Sequence, residues 1–204
     1  MNEFEKALTR YIKLDDLEKI QSLKIGIIGA GGLGSNAAVN LVRSGFKSFI
    51  IADFDQVEAS NLNRQFYFLK QKGELKVEAL KKNLVLINPD LAIKTICQEI
   101  TKANIADIFK SCDIIIEACD RVASKKIVVE EFMQGDKLLV SASGVAGYGN
   151  SDQIKIKEIN DKFYLVGDFC SEVGDEHQPL APKVNLVAAK QADIILNSVL
   201  EGEI

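Results

Sequence analysis

The sequence has no tryptophan, one histidine and three prolines, and no apolar run approaches the roughly 18 residues that a membrane helix requires. That missing run excludes a spanning helix. The first residues, Met1 to Lys6, mix acid and base where a secretion signal would have a basic start and an apolar centre, so the reading is a cytoplasmic protein with no membrane partner. Cys97, Cys112, Cys119 and Cys170 include no Cys-x-x-Cys pair and fit neither a zinc site nor a disulfide framework, which points to a reducing compartment and no structural zinc. The single histidine, His177, lies in a polar, proline-flanked loop and reads as an exposed bystander; a dehydrogenase would need a proton-transfer group beside its nicotinamide. Only Arg10, Arg43, Arg64 and Arg121 are arginines among 25 basic residues, so each is a candidate for forked contacts to phosphate or carboxylate. A formal charge of -4 without a basic stripe disfavours nucleic acid as a partner.

What is present is a chain of 204 residues, 47% hydrophobic and 26% charged, enough to build one core, and we read residues 1–204 as a single domain. Apolar residues near helical spacing predict an amphipathic N-terminal helix at about residues 3–20. Short β-type runs at Leu23–Ile28, Ser48–Ala52, Ala92–Gln98, Asp113–Ala118 and Leu138–Ala142 alternate with helical patterns. Two further runs, Gln153–Ile159 and Lys162–Val166, flank Asn160-Asp161 as a hairpin, and a final helix covers about Lys183–Leu200. The fold class is therefore α/β and Rossmann-like: a mostly parallel sheet, helices on both faces and a C-terminal antiparallel hairpin.

Gly29-Ala30-Gly31-Gly32-Leu33-Gly34 sits between the first strand and a helix, where glycines permit a tight bend and let phosphate approach the helix amides. Asp53 ends the second strand, where a carboxylate accepts hydrogen bonds from a ribose. The loop beyond gathers Asn61, Arg64 and Gln65, and Lys76 opens the next helix region. Such a cluster suits a polyphosphate.

Taken together, Gly-x-Gly-Gly-x-Gly, Asp53-Phe54-Asp55-x-Val57-x-x-Ser60-Asn61-Leu62-x-Arg64-Gln65, Gly73-x-x-Lys76 and Ile87-Asn88-Pro89 closely resemble the ThiF/MoeB family over about residues 5–200. Within it the short length and the ending Gly-Asp-Phe-Cys-Ser-Glu look most like the ThiF-type proteins of bacterial thiamin synthesis. The resemblance implies an ATP-dependent adenylyltransferase that activates the C-terminal glycine of a ubiquitin-like sulfur carrier (ThiS-like, with a Gly-Gly tail). By the same resemblance Gly29, Gly31, Gly32, Gly34, Asp53, Asp55, Asn61, Arg64, Gln65 and Lys76 bind the nucleotide, Arg64, Lys76 and Asp120 are catalytic, and Asp120 holds Mg2+. A homodimer is implied too, with Arg10 or Lys13 reaching the partner subunit's ATP. Arg121 departs from the family, which carries Asn after its acid.

Cys170 is a possible sulfur-transfer thiol in an accessible loop, although Asp168, Glu172, Asp175 and Glu176 around it would raise its pKa; Cys97, Cys112 and Cys119 fall in or beside strands and are expected to be buried. Those acids could also fence a channel for a carrier tail. Competing readings are activation of a carboxylate on a modified tRNA base, a non-catalytic nucleotide-binding partner subunit, and an NAD-dependent dehydrogenase.

Overall fold

The computed structural model describes residues 1–171, 174 and 177–202. Five strands alternate with helices: β1 Lys24–Ile28, α3 Gly32–Arg43, β2 Ser48–Ala52, α4 Lys76–Val85, β3 Ala92–Ile96, α5 Ile105–Phe109, β4 Ile114–Glu117, α6 Val122–Phe132 and β5 Leu138–Ala142. A hairpin, β6 Lys155–Asn160 and β7 Phe163–Gly167, then leads to α7, Ala181–Leu200. Two short helices precede β1: α1 Glu3–Leu8 and α2 Leu14–Ser22. The strands form one sheet in the order β3-β2-β1-β4-β5-β7-β6, parallel throughout except for the β6–β7 pair.

Strands covered on both faces read as continuous apolar runs, and β4 and β5 are buried along their whole length. The two apolar layers are distinct. Ile27, Phe49, Ile51, Ile116 and Val140 pack against α3, α4 and α7, whereas Ile28, Ile50, Ile115 and Leu139 pack against α5 and α6. Every residue of β6 is exposed, as befits an edge. Chain order reverses between β1 and β4, so a crevice opens at their carboxyl ends, where α/β sheets bind ligands.

The N-terminal leader differs from its expected form as one helix over 3–20. The Thr9 hydroxyl turns back to the Lys6 carbonyl at 2.8 Å and ends α1, and extended Lys13 starts α2 afresh. Local side-chain bonding of this kind competes with the helix, and apolar spacing does not register it. α1 docks through polar contacts: buried Glu5 pairs with Lys47 at 2.7 Å and accepts from Asn88 Nδ2 at 3.3 Å. Cys97 also departs from expectation. It is exposed, because β3 is an edge strand and the chain leaves the sheet after Ile96.

Between β7 and α7 the described residues, 168–171, 174 and 177–180, form a strap fastened near both ends. The Asp168 side chain is 3% exposed; its Oδ2 lies 2.6 Å from Lys183 Nζ, and its Oδ1 accepts from the backbone of Cys170 and Ser171 at 3.0 and 2.8 Å. Burial opposes this charge, but the Lys183 ammonium and the two amides outweigh it and hold the carboxyl well below the usual range. Gly144 passes so close that a Cβ there would stand 2.1 Å from Asp168 Oδ1, at a φ of +76°. The far end is held by Gly147 N–H to the Gln178 carbonyl at 3.2 Å and by Asn63 Nδ2 to the Pro179 carbonyl at 3.2 Å.

Removing one partner of a buried pair leaves an uncompensated charge, so Lys183→Met should lower stability by about 2–3 kcal/mol, less than a fully interior pair because the amides remain. Urea unfolding measures it, and an unchanged midpoint would deny the pair that role. Glu5 gives a pH signature. Burial raises its pKa, but Lys47, Asn88 and the Asn2 amide together bring it below 4.5, so its contribution is complete above the unfolded value and fades as pH falls through the folded one. Glu5→Gln should therefore lower the urea midpoint at pH 7 more than at pH 3; equal shifts would contradict that linkage.

Candidate nucleotide site

The crevice is a cavity of about 380 Å³ at the carboxyl ends of the central strands, walled on one side by the strap. Its floor begins with the glycine turn. Gly29 has a φ of +99° and a Cβ there would lie 2.6 Å from the Ala118 carbonyl oxygen; one on Gly34 would lie 1.8 Å from the Gly29 carbonyl oxygen. No side chain fits either place. Gly29, Gly31 and Gly32 line the cavity, whereas Gly34 does not, and its part is to let α3 fold back onto the turn. The amino end of α3 then faces the cavity with its unpaired amides, a ready anion site.

Asp53 holds this turn in place. Its Oδ2 accepts from Ala30 N–H at 2.7 Å and its Oδ1 from Asp55 N–H at 2.8 Å. Burial pushes its pKa above the usual value despite those amides. Two acceptor positions remain on the carboxylate for a ligand hydroxyl. Tyr67 secures the turn from below, donating to the Ala30 carbonyl at 2.6 Å, a role that nothing in its spacing announced.

Lys76, at the start of α4, is buried, lines the cavity and lies 2.7 Å from Asp55 Oδ2. Arg64 lines the wall beside it; its Nη1 donates to Asn63 Oδ1 at 2.7 Å and to the Ser60 carbonyl at 3.4 Å. Gln65 is buried at the same wall. Asn61 stands apart from the others: it does not line the cavity, and its Oδ1 accepts from Glu58 N–H at 2.9 Å, so it shapes the loop that carries Arg64. Asp120 is exposed on the cavity rim after β4. Among the described residues no group of three or more His, Cys, Asp or Glu side chains is placed to hold a metal ion.

Arg10 and Lys13 are exposed in the turn between α1 and α2 and do not line the cavity. Cys170 is exposed and outside its wall, with Sγ 3.6 Å from Asp168 Oδ1. Asp168 turns inward to Lys183, so it fences nothing; Glu172, Asp175 and Glu176 lie outside the described residues. Burial pushes the Cys112 thiol up to about 11, and burial with Glu117 raises Cys119 as well. His177 is exposed, as expected.

A second charge system went unread in the sequence. Glu117, inside an isoleucine run, is fully buried at the end of β4. One oxygen accepts from Lys125 Nζ at 2.6 Å and from the Ser141 hydroxyl, the other from Cys119 N–H at 2.7 Å. Lys125 also donates to the Ala142 carbonyl at 2.9 Å and reaches the cavity. A carboxylate within a buried strand, with a lysine in the first turn of the following helix, was the available signal.

Comparison with known proteins places this geometry. The chain is 31% identical to tRNA threonylcarbamoyladenosine dehydratase of Bacillus subtilis over 150 residues, 72% of this chain and 58% of that protein. It is 32% identical to SUMO-activating enzyme subunit 2 of Dictyostelium discoideum over 72% of this chain and 22% of that protein. The E. coli tRNA N6-threonylcarbamoyladenosine dehydratase, solved with AMP, superposes with a TM-score of 0.87 over 97% of this chain and 94% of that one, at 21% identity, and so has the same fold. The chain spans between about a fifth and three-fifths of the length of the curated relatives it matches. The ThiF family model matches residues 5–198, which include every strand of the sheet, and the chain belongs to the ThiF family.

Proposed function

We propose that this chain is an ATP-dependent adenylyltransferase that activates a carboxylate. The observation that carries the reading is the convergence of the glycine turn, Asp53, Arg64, Lys76 and Asp120 on one cavity. In this reading Asp53 accepts from the ribose, and the glycine turn and α3 amides receive the phosphates. A substrate carboxylate oxygen attacks the α-phosphorus, the bond to the pyrophosphate oxygen breaks, and an acyl-adenylate forms. No covalent enzyme intermediate is required, so positioning and charge stabilisation do the catalysis. Arg64 and Lys76 meet the negative charge that gathers on the transferring and leaving phosphates, Lys76 exchanging part of its contact with Asp55 for them. Asp120 would hold magnesium, which neutralises phosphate charge.

Two carboxylates fit that chemistry. A relative named for a tRNA modification, of which the chain covers 58%, favours a carboxylate on a modified tRNA base. Relatives named for SUMO and ubiquitin-like modifiers, of which it covers 22% and 26%, favour the glycine tail of a carrier protein. None of these names points to thiamin, so the ThiS-like carrier is a narrower form of the second reading. Among the described residues that line the cavity, the cations Arg64, Lys76, Arg121 and Lys125 are matched by the acids Asp53, Asp55, Glu99 and Asp120, so its charge does not itself favour RNA, but a single modified base is all that would have to enter it. A homodimer, with Arg10 or Lys13 crossing to the partner, accompanies either reading.

Exchange of labelled pyrophosphate into ATP tests the activity, with threonylcarbamoyladenosine-bearing tRNA in one arm and a Gly-Gly-ended carrier in the other. Exchange in either arm supports adenylation and names the acceptor class; absence from both, with ATP bound, leaves a non-catalytic subunit. Arg64→Ala should keep the fold and reduce exchange by roughly 100-fold or more, as losing a transition-state charge partner does. A near-normal rate would remove Arg64 from the machinery. Cys170→Ser should leave adenylation intact, since acyl-adenylate chemistry uses no thiol; loss of exchange in a folded variant would contradict that.

A further inference from the structure

Lys125 reaches the cavity but has no part in the chemistry above. It stands in the first turn of α6, where its ammonium lies 2.6 Å from Glu117 Oε2 and donates to the Ala142 carbonyl at 2.9 Å. An ammonium carries three donors, so one is left without a partner among the described residues. The side chain is 28% exposed and lines the cavity, which puts that spare donor within reach of a ligand. Glu117 aims it. That carboxylate is itself fixed by the Ser141 hydroxyl and the Cys119 N–H, so the ammonium has one resting place.

Its place in the sheet says which part of a ligand it meets. Asp53, Arg64 and Lys76 come from β2 and the segments that follow it, whereas Lys125 binds at the ends of β4 and β5, across β1 and its glycine turn. Attacking and leaving oxygens lie roughly in line in phosphoryl transfer, so with Arg64 and Lys76 taking the pyrophosphate the attacking group comes from the opposite side. Charge agrees with position. Glu117 already offsets the ammonium, which leaves a directed donor rather than a free cation, weak for a polyphosphate and sufficient for one carboxyl oxygen.

We propose that Lys125 binds the acceptor: its spare N–H donates to the carboxylate oxygen that does not attack, and keeps it as the carbonyl oxygen of the acyl-adenylate. The other oxygen bonds to the α-phosphorus as the bond to pyrophosphate breaks, and Lys125 stays protonated throughout. The inference rests on the adenylation reading and deepens it, giving the acceptor a residue of its own. Every acceptor of this chemistry brings the same carboxyl group, so the contact is indifferent to whether a glycine tail or a modified base lies behind it.

Calorimetric titration separates acyl group from nucleotide. The probes are AMP and acetylglycyl sulfamoyl adenosine, a stable acyl-adenylate mimic in which a sulfamoyl group replaces the phosphate. They are applied to the wild type, Lys125→Met, and Lys125→Met combined with Glu117→Gln, with circular dichroism and urea unfolding as fold controls. The double variant guards against a folding failure, because it removes both charges of the pair and leaves no buried carboxylate unmatched. The wild type should bind the mimic roughly 10-fold or more tightly than AMP, and both variants should lose that preference with AMP affinity unchanged, the size of one charge-assisted hydrogen bond. A wild type that binds AMP as tightly as the mimic would overturn the proposal. Variants that keep the preference, or that lose AMP and mimic by the same factor, would also overturn it and leave Lys125 a structural partner of Glu117. A wild type that binds neither ATP nor AMP defeats the nucleotide reading itself, and the acceptor contact with it.

Discussion

Between the ends of β1 and β2, the two oxygens of Asp53 accept from the backbone of Ala30 and of Asp55. Each amide belongs to a different turn, so a half-buried carboxylate ties the glycine turn to the loop that carries the cations. Remove that tie and the left-handed Gly29 still has its N–H on the Ala52 carbonyl, with the Tyr67 hydroxyl on the Ala30 carbonyl beside it. Asp55, placed by the same bond, sets where Lys76 rests. The aim of the α3 amides and the position of the lysine therefore trace back to one side chain. Burial raises the pKa of Asp53, so this arrangement is more sensitive to mild acid than an ordinary aspartate would make it.

Charge pairs border the cavity on its other sides. Lys125 and Glu117 close the gap between β4 and β5, and Asp168 and Lys183 pin the strap. Pairs of this kind add little net stability, since the attraction barely exceeds the loss of hydration, and apolar replacements are often as stable. What they supply is direction. A leucine at position 183 would pack beside the strap in several orientations, whereas an ammonium with a carboxylate at 2.6 Å and the Ala146 carbonyl at 2.7 Å has one. The Gly144 bend, which leaves no space for a Cβ, closes the same corner.

How much of this was legible depended on the kind of signal. Strands covered on both faces announce themselves by composition, and the bounds of β2 and β5 match the expectation residue for residue. The glycine turn and Asp53 were legible because their chemistry restricts residue type at fixed spacing. Features set by a single contact were not. A Thr9 hydroxyl bond split the leader, an Asn61 side chain that reads as a phosphate ligand spends its oxygen on Glu58, and Cys97 was assigned to the interior because an edge strand looks like any other in sequence. Glu117 was hidden by its isoleucine neighbours, which carry the buried-strand pattern whether or not one position holds a charge.

The same distinction explains why the nucleotide half of the site is read more easily than the acceptor half. In the proposed reading ATP is met by strand ends and one loop whose residues lie close together in the chain, from Gly29 to Lys76, and phosphates demand amides and cations at set places. A carboxylate acceptor imposes almost nothing locally, because any carboxylate presents the same two oxygens to the α-phosphate. What distinguishes a glycine tail from a modified base lies behind those oxygens and must be met by surfaces built from distant segments. In this chain the cavity wall away from the glycine turn is such a surface: Gly144, Ser171, Gln178 and Val184 line it from segments joined only by the fold. Under the proposed reading, relatives of one family can share the residues that meet ATP and still divide over the acceptor, because the two halves of the site are built from different parts of the chain.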